Sequence, residues 1–137
     1  MDYTIFFTDK YADLSYKTSS KTALLTCKVS FIPEAEFKLL FEKVTELIKK
    51  HHVNKLIFDK RSLTVFHQPS MEWYHLVWKK DMLAYGLRMH RKILPNDKMF
   101  RASVEIGKAK ILKENPENIL HLLDIQYCES VEEAEKL

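Results

Sequence analysis

The stretch NKLIFDKRSLTVFHQPSMEWYHLVWKKDMLAYGLRMHRKILP, Asn54 to Pro95, decides the fold. Lys55 to Asp59 (KLIFD) is a short apolar run bounded by charge, the pattern of a central strand buried on both faces. Lys60 to Pro69 (KRSLTVFHQP) then connects it to a helix. That connection is longer than the usual about four to six residues, and long loops at the ends of central strands commonly carry function. Ser70 to Tyr85 reads as the helix, with Ser70 as its N-cap and Gly86 in the C′ position. Trp73, Leu76, Val77, Lys80 and Leu83 define one face, and Tyr74, Trp78, Met82 and Tyr85 another. A helix apolar on most sides is either sandwiched or offers its second face to another molecule. Leu87 to Ile93 returns as a strand whose positive charge suggests a place near a sheet edge.

Upstream of this stretch the chain is strand-rich. Tyr3 to Thr8 is β-branched and aromatic, Leu14 to Thr18 alternates, and Ala23, Leu25, Cys27 and Val29 share one side of a third strand. Ser19, Ser20 and Lys21 form a turn, so strands two and three are expected to pair as a hairpin. Pro33 opens a helix whose stripe is Phe37, Leu40, Phe41, Val44, Leu47 and Ile48. His51 and His52 lie at its end. Adjacent helical residues point about 100° apart, so the pair reads as ordinary helix-end histidines rather than as joint metal ligands. Downstream, Asp97 caps a helix to about Lys113, with Phe100, Val104, Gly107 and Ile111 on its buried side. Ile119 to Leu123 adds a short turn, Asp124 to Cys128 a last strand, and Ser130-Val131-Glu132-Glu133 a capping box for a final short helix.

The 137 residues form one domain, and 46% hydrophobic with 30% charged residues is a globular composition. No apolar run reaches the roughly 20 residues that cross a bilayer. The start MDYTIFFTDK lacks a basic leader region, so the expectation is a cytoplasmic chain with no integral membrane segment. A formal charge of +3 is too small to imply a nucleic-acid partner. Lys79, Lys80, Arg88, Arg91, Lys92, Lys98 and Arg101 cluster in one third of the chain, but no recognition motif accompanies them, and they read as a solvated face. The two glycines, Gly86 and Gly107, are too few for a phosphate-cradling loop. Cys27 and Cys128 read as buried free thiols rather than as metal ligands or a disulfide framework. No cofactor is expected.

Three β segments precede an α-β-α-β-α-β-α series. The expected class is therefore α/β, a sandwich with a mixed central sheet of about six strands and about four helices. This order resembles the STAS domain (sulfate transporter and anti-sigma factor antagonist), in particular the small stand-alone SpoIIAA-like bacterial proteins. The resemblance covers nearly the whole chain, as a single domain over residues 1–137. Leu56-Ile57-Phe58-Asp59 is similar to the family's strand end, and Ser62-Leu63-Thr64-Val65-Phe66 to the run before its acidic residue. The close, Tyr127 to Ala134, is similar as well. Where the family has Asp-Ser-Ser-Gly this chain has His67-Gln68-Pro69-Ser70. The resemblance implies a non-enzymatic regulatory module that binds a protein partner, here without the classical serine switch. Ser70 is the remaining candidate for phosphorylation, and its simpler role is as a helix cap.

The expected partner surface is the loop with the exposed side of the aromatic helix: Asp59, Arg61, Ser62, His67, Gln68, Ser70, Trp73, Tyr74 and Trp78. Tyr74 and Trp78 are its main anchors. The alternative is a small-molecule or lipid-binding domain in which Trp73, Trp78, Met82 and Met89 line an apolar cavity. An enzyme would need Asp59, Ser62, His67 and Ser70 as a nucleophile and base, and no Gly-x-Ser-x-Gly elbow supports that. A homodimer stays open beside the monomer.

Overall fold

Six strands with period-two alternation assemble in sequence order into one sheet, β1-β2-β3-β4-β5-β6. The computed structural model describes residues 3–137. Met1 and Asp2, on which part of the leader reading rests, lie outside the described residues. The strands are β1 (Thr4–Thr8), β2 (Ala12–Lys17), β3 (Thr22–Cys27), β4 (Lys55–Asp59), β5 (Met89–Ile93) and β6 (Asp124–Cys128). β1 to β3 form an antiparallel meander, with β2 and β3 paired as the expected hairpin. β3 to β6 run parallel, because each connection between them carries a helix.

Those helices are α1 (Glu34–His51), α2 (residues 68–83) and α3 (Lys98–Glu114), and a short α4 (Val131–Lys136) follows β6. The class is thus α/β with a mixed six-stranded sheet and four helices. α2 is α-helical over Gln68–Trp73 and Lys79–Leu83 and takes one wide π turn at Tyr74–Trp78. No described helix is long and apolar enough to cross a membrane.

Strand parity sends side chains to two unlike faces. On the front, Leu14, Leu25, Leu56 and Phe58 meet Phe37, Phe41 and Val44 of α1, Tyr74 and Trp78 of α2, and Phe100 and Val104 of α3. Phe41 meets two rings edge-on, Tyr74 at 5.1 Å and Trp78 at 4.8 Å, and those two stack on each other at 5.6 Å. The indole N–H of Trp78 donates to Thr45 Oγ1 at 2.9 Å, which settles its polar end. On the reverse, a smaller cluster of Ile57, Ile93, Cys128 and Ala134 sits under α4.

Two cations from the strands cap α4. Lys55 Nζ donates to the Ala134 and Glu135 carbonyls, and Arg91 donates to the Leu137 carbonyl at 2.8 Å. Helix C-termini present unpaired carbonyls and negative partial charge, so the pairing satisfies both. Tyr3 and Lys17 hold Glu135 from the meander side.

Three sequence expectations are corrected. β5 lies between β4 and β6, not near an edge, and its His90, Arg91 and Lys92 are buried. It begins at Met89 rather than Leu87. α2 begins at Gln68, with His67 as the N-cap in place of Ser70. The histidines at the end of α1 do separate: His51 stacks on Tyr16 at 4.2 Å, while His52 takes the left-handed conformation that closes the helix. Cys27 and Cys128 are free and buried, and burial pushes the Cys27 thiol up to about 12.

Gly107 of α3 is where the front layer closes on the loop. A Cβ there would overlap Gln68 Oε1 and stand 2.7 Å from Phe66 Cζ. Phe66 is itself wedged edge-on against Phe100 at 6.2 Å. Overpacking costs about 1–3 kcal/mol, while alanine gains about 1 kcal/mol in helix propensity. Gly107→Ala is therefore expected to lower stability by about 1 kcal/mol in urea unfolding. The same substitution in a Phe66→Leu background is expected to be neutral or stabilising.

Candidate functional site

The loop between β4 and α2 organises itself through its own polar groups. Asp59 closes the strand and is buried, on the reverse-face parity of Lys55 and Ile57. Arg61 grips its carboxylate with Nε at 3.0 Å and Nη2 at 2.8 Å, and the Arg61 backbone N–H adds a third bond at 3.1 Å. Arg61 and Ser62 are exposed. Further on, His67 Nδ1 accepts the Ser70 backbone N–H and bonds the Ser70 hydroxyl at 2.8 Å. Ser70 is 2% exposed, so its hydroxyl is occupied and out of a modifying enzyme's reach. Gln68 donates to Glu72 at 3.0 Å. His67 and Ser70 thus come together, while Asp59 is spent on Arg61.

The expected aromatic anchors do not face solvent. Tyr74 is fully buried and Trp78 is 4% exposed, so neither is available to a protein partner in this conformation. Trp73 is half-buried under Lys38, whose ammonium lies 5.6 Å over its ring. Trp73, Trp78 and Met82 border a groove of about 660 Å³ between α1 and α2, but Met89 belongs to the reverse face. Lys38, Glu42 and Asp81 wall that groove with charges of both signs.

Behind Tyr74 lies a feature that the sequence reading placed in solvent. Three lysine amines surround one ring: Lys79 Nζ at 4.7 Å from the centroid, Lys92 Nζ at 5.5 Å and Lys60 Nζ at 5.6 Å. All three lysines are buried. They come from α2, β5 and the residue after β4. In an ordinary α-helix, residues five apart lie about 140° apart around the axis. The π turn, closed by the Lys79 N–H to the Tyr74 carbonyl, is what lets Lys79 reach back over Tyr74. Such single wide turns recur at functional sites.

Nothing acidic answers these amines. The charges bearing on Lys79 and Lys92 are other lysines, Lys60 and Lys108 among them. Burial, and then those neighbours, hold Lys92 well below the ordinary lysine range; burial does the same for Lys79. Burial brings Lys60 down to about 8, and its Nζ finds only Met71 Sδ at 3.8 Å. His75 and His90 are likewise held well below the usual imidazole value, by burial first and by the lysines second. Among the described residues, Tyr74 Oη and both ring nitrogens of His90 are buried without a hydrogen-bond partner.

His75 links two of the amines: Lys79 Nζ lies 3.0 Å from its Nδ1 and Lys92 Nζ 3.4 Å from its Nε2. A neutral imidazole donates from one nitrogen and accepts at the other. For both contacts to be hydrogen bonds, one of the two amines must offer a lone pair and is therefore uncharged.

The cluster opens into a cavity of about 450 Å³ between β5, β6, α3 and the segment 116–123. Its polar wall is His75, Lys92, Lys108, Asn118 and His121; its apolar wall is Leu112, Leu120, Leu123, Ile125 and the Tyr127 ring. No carboxylate lines it. Lys92 and Lys108 lie on the Tyr127 ring at 5.8 and 5.6 Å. Burial, with Glu105 second, raises the Tyr127 phenol, so Tyr127 is a neutral hydroxyl at neutral pH. No group of three His, Cys, Asp or Glu among the described residues could hold a metal ion. A five-residue strand reading MHRKI inside an α/β sheet was the available signal, because alternation places His90 and Lys92 on the same side as Phe58's neighbours.

Comparison of the chain with family models, with curated proteins and with solved structures gave no match.

A buried lysine with a lowered pKa weakens the fold while it is charged, and that penalty fades as pH rises from the folded value towards the unfolded one. For Lys60 this window runs from about 8 to the ordinary 10.5. Lys60→Met is expected to be more stable than the wild type at pH 7 by up to about 3 kcal/mol, with the gap closing by about pH 10. Urea unfolding of both proteins across that range checks it; a gap independent of pH would remove the charge explanation.

Proposed function

We propose that the chain is a small-molecule-binding α/β domain whose cavity takes an organic anion with an apolar body. The observation that carries this reading is the lining of the cavity, two lysines and two histidines over an aliphatic floor with no carboxylate. Uncompensated buried cations cost stability, of order several kcal/mol each, and an anion among them recovers part of that cost. The apolar wall supplies area for a short aliphatic or aromatic group, and the volume suits a ligand of modest size. In this reading the protein binds without transforming.

The STAS resemblance remains part of the proposal. The order β-β-β-α-β-α-β-α-β-α and the mixed sheet support it, and the capped, buried Ser70 favours a member without a serine switch. A regulatory protein-interaction module acting through residues 60–69 is the second reading. Exposed Arg61, Val65 and Phe31 beside the loop support it, although such a partner would bind without Tyr74 and Trp78.

The test is titration of the full chain with para-methylbenzoate, followed by calorimetry and amide NMR. Shifts are expected to centre on Leu112, Ile125 and Tyr127. Lys108→Glu is expected to weaken binding roughly tenfold or more, the loss of one charge-assisted contact. Absence of shifts in the cavity with this compound and with a panel of short-chain carboxylates and organic phosphates at millimolar concentration would sink the reading.

A further inference from the structure

We propose that the Lys92 amine captures a carbonyl-bearing ligand covalently, as an imine with an aldehyde or 2-oxo acid whose own anionic group is held by Lys108. This rests on the reading of the cavity as an anion site. Three observations single out Lys92. It is the one member of the amine cluster that lines the cavity, whereas Lys79 is sealed and Lys60 ends against Met71. Its nitrogen lies 3.4 Å from His75 Nε2, and when that nitrogen carries the imidazole proton the amine faces it with a lone pair. The same cavity offers Leu112, Leu120, Leu123 and Ile125 to the apolar body of a ligand. A desolvated lysine beside other cations is the recurring way to make an amine nucleophilic at neutral pH, and burial acts on Lys92 in that direction.

The chemistry balances without an oxidant or reductant. The Lys92 lone pair adds to the carbonyl carbon, and the carbon–oxygen π pair goes to oxygen, which takes up a proton. Loss of that hydroxyl as water, with the second proton from nitrogen, leaves a carbon–nitrogen double bond. One amine and one carbonyl give one imine and one water. His75 Nε2, 3.4 Å from the amine, can give its proton to the departing hydroxyl and then take one from the nitrogen, and Lys108, 5.6 Å from the Tyr127 ring centroid, is the cation left for the ligand's carboxylate or phosphate.

The probe is para-formylbenzoate, which carries an aldehyde and a carboxylate on one ring; para-methylbenzoate is its carbonyl-free counterpart. The full chain is incubated at neutral pH with one equivalent of the aldehyde and cyanoborohydride, which traps imines, and is then digested and mapped by mass spectrometry. The expected result is one carboxybenzyl group on Lys92, favoured roughly tenfold or more over exposed lysines such as Lys113. Excess para-methylbenzoate should suppress it. Lys92→Arg, which keeps the charge and forms no imine, should lose it. Mapping on the wild type decides the matter even where a variant does not fold. An adduct spread over exposed lysines, or found on Lys60 or Lys79, overturns the inference; if para-methylbenzoate still binds, the anion site stands without it. If neither compound binds, both fall together.

Discussion

Lys60, Lys79 and Lys92 surround the Tyr74 ring with no acid to neutralise them, and the front layer is built around that constraint. Each amine would be cheaper in water, so the surrounding structure has to hold it in place. Phe58 and the α1 aromatics close one side, α2 arches over the top through its wide turn, and β5 is fixed between two parallel neighbours. The π faces of Tyr74, Phe58 and Tyr127, the imidazole of His75 and the Met71 sulfur offer partial compensation. Such an arrangement stores unfavourable electrostatic energy where a ligand of opposite charge can release it. That links an apparently poor piece of packing to the cavity beside it.

The same strand handles its other cation in the opposite way. Arg91, one residue from Lys92, faces the reverse side, where Asp124 and the carbonyl end of α4 receive its guanidinium. One strand thus carries, on one face, a guanidinium whose two terminal nitrogens are bonded and, on the other, an amine that no acid answers. Register is what keeps the two apart. A slip of one residue would carry the guanidinium into the ring cluster and strand the Lys92 amine under α4. The buried Leu56-Ile57-Phe58 run of β4, paired in register on either side, opposes that slip.

Element order and the strand–helix alternation were legible because they rest on periodicity, and the hairpin of β2 and β3, the α1 stripe and the capped α4 follow it. The position of β5 was not. Its charges suggested an edge, on the sound general ground that buried lysines are rare. Here tertiary context outweighs that tendency, as happens where function and stability conflict. The aromatic helix was misjudged for a related reason. Its period was read as uniformly α-helical, which divides Tyr74 and Lys79 between faces; the wide turn at Tyr74–Trp78 reunites them, and no propensity announces it. In the loop, residue types were read rightly but partners could not be. Only geometry shows that Arg61 consumes Asp59 and that His67, not Ser70, caps the helix.

Gly107 ties these regions into one mechanical unit. Because it lacks a side chain, Phe66 and Gln68 rest directly on the backbone of α3, at the residue preceding Lys108. Densely packed interiors pass small displacements on rather than absorbing them. The connection between β4 and α2 therefore leans on the wall of the cavity: whatever presses on that segment from outside also nudges the lysine in that wall, and an occupant of the cavity pushes back along the same line.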